Sequence, residues 1–231
     1  MVTLLQLFFS AWVIVFAAES PQSINPRCIG SSTKTKQVTH YMIPLLNNYD
    51  AKICDVIEGT CIYNKSTVPY MHNVGYTDTP LVQERCKNGY GNARNCLHPC
   101  RNLAASMKYH QYGQIVFIKE LVGQKCGNLK RDGFELIHDG YMVVLDTGSP
   151  KYFNAKGRFD FFWGRCKDQS AGNCNEGAIP ISDATSNSDY CTVWDPLHPK
   201  QNQDLKEAFL QTVRSEDLMR GDTGAAQDLN F

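Results

Sequence analysis

The chain has 231 residues, and its 23 basic and 23 acidic side chains leave a net charge of zero. That balance argues against a nucleic-acid partner, which normally demands a basic patch, and leaves polysaccharides as natural partners. Ten cysteines point to an oxidising compartment, and about 210 residues of mature chain suffice for one buried core.

Residues 4–17 form an apolar run broken only by Gln6 and Ser10 and ending at Ala17. The run is too short for a comfortable membrane span and reads as a signal peptide over 1–17. The expected product is a secreted or periplasmic protein, monomeric, with no stable membrane insertion. Residues 18–37 are polar and read as an N-terminal arm tied down by Cys28. All the cysteines follow the signal: Cys28, Cys54, Cys61, Cys86, Cys96, Cys100, Cys126, Cys166, Cys174 and Cys191. An even count after a signal peptide predicts a disulfide framework that uses all of them. Cys54 with Cys61, and Cys166 with Cys174, are close enough for local loops, but the wider connectivity is not readable. Cys96 and Cys100 flank His98, yet no Cys-x2-Cys knuckle accompanies them, so no metal site is expected.

Residues 37–43 and 57–63 read as strands. Residues 64–98 form a long insertion rich in Tyr, Asn, Gly and Pro, which needs staples that Cys86 and Cys96 can supply. Its Tyr70, His72, Tyr76 and Tyr90 suit either a sugar-stacking wall or a cover for the core. A helical turn is expected over 101–109, a strand over 114–120, and a polar connector over 123–139 with a strand-like stretch at 134–137. Asp139 reads as a turn former. Residues 190–194 read as a last strand. Asn202 is placed to cap a helix over 204–214, with Leu205, Phe209 and Val213 at helical spacing. Residues 220–231 carry little to bury and are expected to be disordered. Many short strands and one short terminal helix predict an all-β barrel. No Gly-rich phosphate loop, G-x-S-x-G elbow or H-E-x-x-H motif is present.

The densest chemistry lies at 138–164, HDGYMVVLDTGSPKYFNAKGRFDFFWG. Two strand-like runs, 141–145 and 158–163, flank a loop and bring Asp146 and Asp160 toward each other. Paired carboxylates suit glycosidic-bond cleavage, where an acid protonates the leaving oxygen and a second group supports the oxocarbenium-like centre. Along a strand, Phe159, Phe161 and Trp163 share one face while Arg158, Asp160 and Phe162 share the other. Phe162 favours a protonated Asp160 and Arg158 opposes it. Taken singly, each aspartate also fits an ordinary structural role.

The pattern HDG-x4-LD-x-G…G-x-FDFFWG resembles the three-aspartate (3D) domain of the membrane-bound lytic transglycosylase A family. Upstream, Pro99 to Ser106 followed by Gly113 to Ile118 is similar to the family's P-x-R-S-L-A-V-D…I-P-L-G-x-x-V-x-I. The likeness covers roughly 96–166. It implies a six-stranded double-psi β-barrel over 38–196, with disulfide-stapled loops, the insertion 64–98, and a short C-terminal helix and tail over 197–231. It implies Asp160 as the catalytic acid/base and Asp146 as its support. His40, Tyr41, Ser106, Thr147, Gly148 and Trp163 become expected substrate contacts; His40 and Tyr41, read alone, belong to an ordinary first strand. Ser106 stands where the family has its first aspartate, and the loop between Asp146 and Asp160 is longer than the family's. The implied partner is a cell-wall polysaccharide, peptidoglycan or a β-glucan, with no cofactor required. An expansin-like wall binder that does not cleave, and a β-glucan hydrolase, are the alternatives on the same barrel.

Overall fold

A computed structural model describes residues 26–57, 59–92, 94–131, 134–167, 174 and 187–219. The expected signal peptide, the start of the arm and the tail 220–231 lie outside the described residues. Short runs of β-branched and aromatic residues punctuated by Gly, Pro and Asn form the strands. They are β1 (Ile29–Lys34), β2 (Gln37–Leu46), β3 (Thr60–Lys65), β4 (Val68–Asn73), β5 (Thr79–Pro80), β6 (Asn102–Ala105), β7 (Ile115–Ile118), β8 (Lys125–Arg131), β9 (Phe134–Ile137), β10 (Tyr141–Thr147), β11 (Arg158–Cys166) and β12 (Asp189–Trp194). One α-helix follows, α1 (Gln203–Met219).

Ten strands make one mixed sheet in the order β1-β12-β7-β10-β6-β11-β2-β3-β4-β5, and β8 and β9 form a separate hairpin. β6 pairs in parallel with β10 and antiparallel with β11, and β11 pairs in parallel with β2. Among the described residues no ladder joins the two ends, so the fold is a large open sheet and not the closed six-stranded barrel expected. The physical reason lies at β2. At Leu45 and Leu46 it pairs with β3, which carries the sheet on to β4 and β5 instead of round to β12. Only the chain itself links β1, bonded to β12, with β2, bonded to β11. The linking residues Thr35 and Lys36 donate their N–H groups to the Ser188 and Gly157 carbonyls.

Other expectations also shift. Arg101 to Ala105 are all buried, and the last four form β6 between two partner strands where a helical turn was expected. Burial on both faces overrides the helix-forming alanines. β1 forms within the expected arm, and β8 within the expected connector. A π-helical segment, Lys52–Ile57, delays the next strand to Thr60.

Alternate residues of six strands build the main core: Val38 and Met42, Leu103 and Ala105, Val116 and Ile118, Met142 and Val144, Phe159, Phe161 and Trp163, and Tyr190. On the opposite side of β7, β10 and β12, helix α1 lays Phe209, Leu210 and Val213 over Ile115, Phe117, Val143 and Val193. A third cluster joins Ile43 and Phe162 to Ile62 and Met71 of the β3–β4 hairpin and to Leu97.

Four disulfides staple this framework: Cys28–Cys191, Cys54–Cys61, Cys86–Cys96 and Cys166–Cys174. The expectation that every cysteine is bridged fails for Cys100 and Cys126, which are buried thiols. Both sit in the main core, where a thiol packs as a small apolar group.

Candidate active site

The site is organised around Ala104. Across β6, Ala104 pairs with Asp160 of β11 on one side and with Asp146 of β10 on the other. The two aspartates are thus next-but-one neighbours across the sheet, roughly 9–10 Å apart at their backbones by strand spacing. Alternation sends Phe159, Phe161 and Trp163 into the main core and leaves Asp160 on the face of Ala104.

Asp146 reaches that face by another route. Met142 and Val144 point into the main core, so strict alternation would bury Asp146 beside them. The register shifts by one between Val144 and Asp146, making Leu145 an extra residue opposite β6. Such a bulge turns the strand and re-aims the side chains beyond it. Here it brings Asp146 level with Ala104 and Asp160.

The segment stapled by Cys86–Cys96 then closes on Asp146. Gly91 packs so tightly that a β-carbon there would lie 2.2 Å from the Leu145 carbonyl oxygen. This contact lets the Asn92 N–H donate to Asp146 Oδ1 at 3.1 Å, beside the Thr147 N–H at 2.8 Å. The Asn92 side-chain amide donates to the Tyr112 hydroxyl at 3.0 Å. Burial, together with the nearby Asp146 carboxylate, pushes the Tyr112 phenol above its ordinary value.

Burial drives the electrostatics of both acids. It pushes Asp146 up to about 6, against the opposing pull of the Thr147 and Asn92 N–H groups and the Tyr41 hydroxyl. It pushes Asp160 up to about 6 as well; Thr39 and Arg158 oppose the rise and the Asp146 charge adds to it. The two differ in their partners. Asp146 Oδ1 accepts two backbone N–H groups, which favour its charged form. Asp160 Oδ1 is buried with no hydrogen-bond partner, so it favours the proton.

A cleft of about 350 Å³ opens over Asp146 and Thr147, walled by Tyr41, Asn73, Val74, Tyr76, Tyr90 and Asn92 among others. Asp160 is not among its lining residues. Of the other expected site residues, Tyr41 and Thr147 line the cleft, and Thr147 Oγ1 donates to the Ala105 carbonyl at 3.0 Å. Ser106 sits just beyond β6, where its hydroxyl accepts a long bond from the Lys108 N–H. His40 stacks flat on Trp163 at 3.5 Å, and Trp163 belongs to the main core on the face away from the aspartates. Gly148 is covered by Phe153, whose ring a β-carbon there would overlap. Sequence reasoning missed Gly91, Asn92 and Tyr112. Only the cysteine staple around Gly91 and Asn92 signalled that this loop is held against something. Among the described residues no group of His, Cys, Asp and Glu is arranged to hold a metal ion.

No family model matches the chain, and no curated protein matches it. Several solved structures are similar to it. One is MltA from E. coli, at 11% identity over 68% of this chain and 71% of that one, with a TM-score of 0.36. E. coli MltA with bound chitohexaose gives 11% identity, 69% and 71% coverage and a TM-score of 0.40. LtgG of Burkholderia pseudomallei, a lytic transglycosylase, gives 12% identity, 67% and 70% coverage and a TM-score of 0.34. A likeness this distant carries no argument about the site.

Proposed function

We propose that this protein is an exported glycan-cleaving enzyme of the lytic-transglycosylase type, acting on the peptidoglycan bond between N-acetylmuramic acid and N-acetylglucosamine. Asp160 is the proton donor and Asp146 the charged support. The observation that carries the reading is the asymmetry of two carboxylates flanking Ala104. One is buried without a partner at Oδ1, while the other accepts two N–H groups. Such a pair divides the labour: burial lifts both acids to about 6, within reach of neutral pH, and the acid bare at Oδ1 favours the proton while its neighbour favours the charge.

Asp160 protonates the glycosidic oxygen as the bond to the muramyl anomeric carbon breaks. The negative charge of Asp146 stabilises the oxocarbenium-like centre. Asp160, now a carboxylate, takes the proton from the muramyl 6-hydroxyl, whose oxygen closes on the anomeric carbon. The product is a 1,6-anhydro sugar, the acid is regenerated, and no water is consumed. The substrate supplies its own nucleophile, so one proton-shuttling carboxyl suffices.

The test is a digest of purified murein, with products read by mass spectrometry. Wild type is expected to release anhydro-muropeptides and Asp160→Asn none. Reducing ends in place of anhydro ends would mark a hydrolase and overturn the transglycosylase step. A second reading has one observation in its favour: Asp160 does not line the cleft over Asp146. A wall-binding protein needs no exposed acid. Co-sedimentation of wild type and Asp160→Asn with murein, without soluble products from either, would establish that reading instead.

A further inference from the structure

The cleft over Asp146 does not end at the insertion. Asn73, Tyr76 and Tyr90 line it and also line a second cleft of about 590 Å³, whose other walls include Glu84, Arg85 and Arg94. The two clefts lie side by side, with Asn73, Tyr76 and Tyr90 shared between them. Tyr76 is 54% exposed, which leaves part of its ring accessible from the cleft. The Arg94 guanidinium lies over this ring, 5.3 Å from its centre.

Arg94 is placed by the same turn that holds Asp146. Its N–H donates to the Gly91 carbonyl, and the Gly91 N–H donates to the Asn95 carbonyl. Asn92, within this turn, gives its N–H to Asp146. Arg94 sits at φ +61, a left-handed backbone that glycine or asparagine would adopt more easily. A long cationic side chain is nonetheless presented there, and it stays exposed. Of the other charges in the second cleft, the Glu84 carboxylate accepts the Tyr90 hydroxyl at 3.0 Å, and Arg85 acts on the same phenol. Among the described residues no carboxylate pairs with Arg94.

We propose that Tyr76 and Arg94 form a subsite for a carboxylate-bearing sugar unit of the same glycan chain whose bond lies at Asp146 and Asp160. The tyrosine ring takes the apolar face of the pyranose, and the planar guanidinium takes the carboxylate through paired N–H donors. This proposal rests on the glycan-cleaving reading for its substrate and adds selectivity for an acidic unit over a neutral one.

The test measures binding rather than turnover. Wild-type protein and Arg94→Asn are titrated with a soluble carboxylated glycan, peptide-free murein strands, and with glycol chitin, a neutral polymer of N-acetylglucosamine. Asparagine keeps the left-handed backbone, and circular dichroism checks the fold. The expected result is a loss of about tenfold in affinity of Arg94→Asn for murein strands, with chitin affinity unchanged. Arg94→Lys should retain part of the preference, and Tyr76→Ala should weaken both ligands. The wild-type preference for murein strands should shrink as salt rises, because the contact is ionic. Equal binding of both glycans by Arg94→Asn and wild type would overturn the subsite. Arg94-dependent binding with no cleavage in the murein digest would leave the subsite standing and sink only the enzyme. Cleavage with no dependence on Arg94 would do the reverse.

Discussion

Asp160 carries a stability signature as well as a chemical one. Burial raises its folded pKa from an ordinary 3.8 to about 6. For a carboxylate raised in this way the unfolded chain ionises first as pH climbs. The fold therefore bears no penalty below about pH 4, an increasing one between 4 and 6, and the full penalty above that. Asp160→Asn removes the ionisation. The variant should be more stable than wild type at pH 7, by on the order of 2–3 kcal/mol, and equal to it near pH 4. Urea unfolding at the two pH values decides this, and an equal difference at both would show that Asp160 is not a desolvated acid. The placement of Asp160 was readable beforehand, since simple alternation puts it opposite Phe159 and Phe161. That of Asp146 was not. The bulge at Leu145 leaves no mark in a sequence whose residues 141–145 look like an uninterrupted strand, and without it Asp146 would face the core.

Helix α1 shows how an element can be recognised while the contacts that anchor it go unseen. Leu205, Phe209 and Val213 mark the apolar stripe, and the helix packs with Phe209, Leu210 and Val213 inward. Glu216 and Asp217, beyond the expected end, look like solvated acids, yet both are buried. Glu216 takes the Arg101 guanidinium in a fork of 2.5 and 2.8 Å, and Asp217 takes His98 Nδ1 at 2.6 Å. Arg101 also donates to Asp139 at 2.5 Å, so the residue expected to do no more than turn the chain helps anchor the helix. Arg101 immediately precedes β6, so the helix end is pinned to the strand that carries Ala104. Glu216→Ala would leave buried Arg101 with Asp139 as its one carboxylate partner and half of its fork unpaired, at a cost of about 3–5 kcal/mol. Glu207→Ala on the exposed face should change stability by no more than about 0.5 kcal/mol. Denaturant midpoints of the two variants test the pinning, and similar small losses would show that the buried fork contributes little. The fork was invisible in sequence because its partners are 115 residues apart.

For the whole molecule, the question is what holds an open sheet in its curl. Among the described residues no ladder joins the two ends of the β1-to-β2 part of the sheet, which meet through the backbone of Thr35 and Lys36 and the packing of Phe159 on Tyr190, so the pairing of β1 with β12 helps decide whether the main core stays enclosed. Cys28–Cys191 sits at that pairing and spans 163 residues, whereas the other three bridges span 7, 10 and 8. The local pairs could be guessed from spacing, but this long one could not, because it depends on which strands meet. Loop-closure entropy assigns it about 5 kcal/mol, roughly twice the value for each short bridge. Replacing Cys28 and Cys191 together by serine should therefore lower stability far more than replacing Cys54 and Cys61. It should also expose the thiols of Cys100 and Cys126, buried in the same core, to alkylation under native conditions. Thermal unfolding with thiol labelling reads both effects. If the paired serine variant loses no more stability than the short-bridge variant and its thiols stay protected, the ladder between β1 and β12 suffices by itself. The enclosure of the core would then be a property of the strands and not of the crosslink.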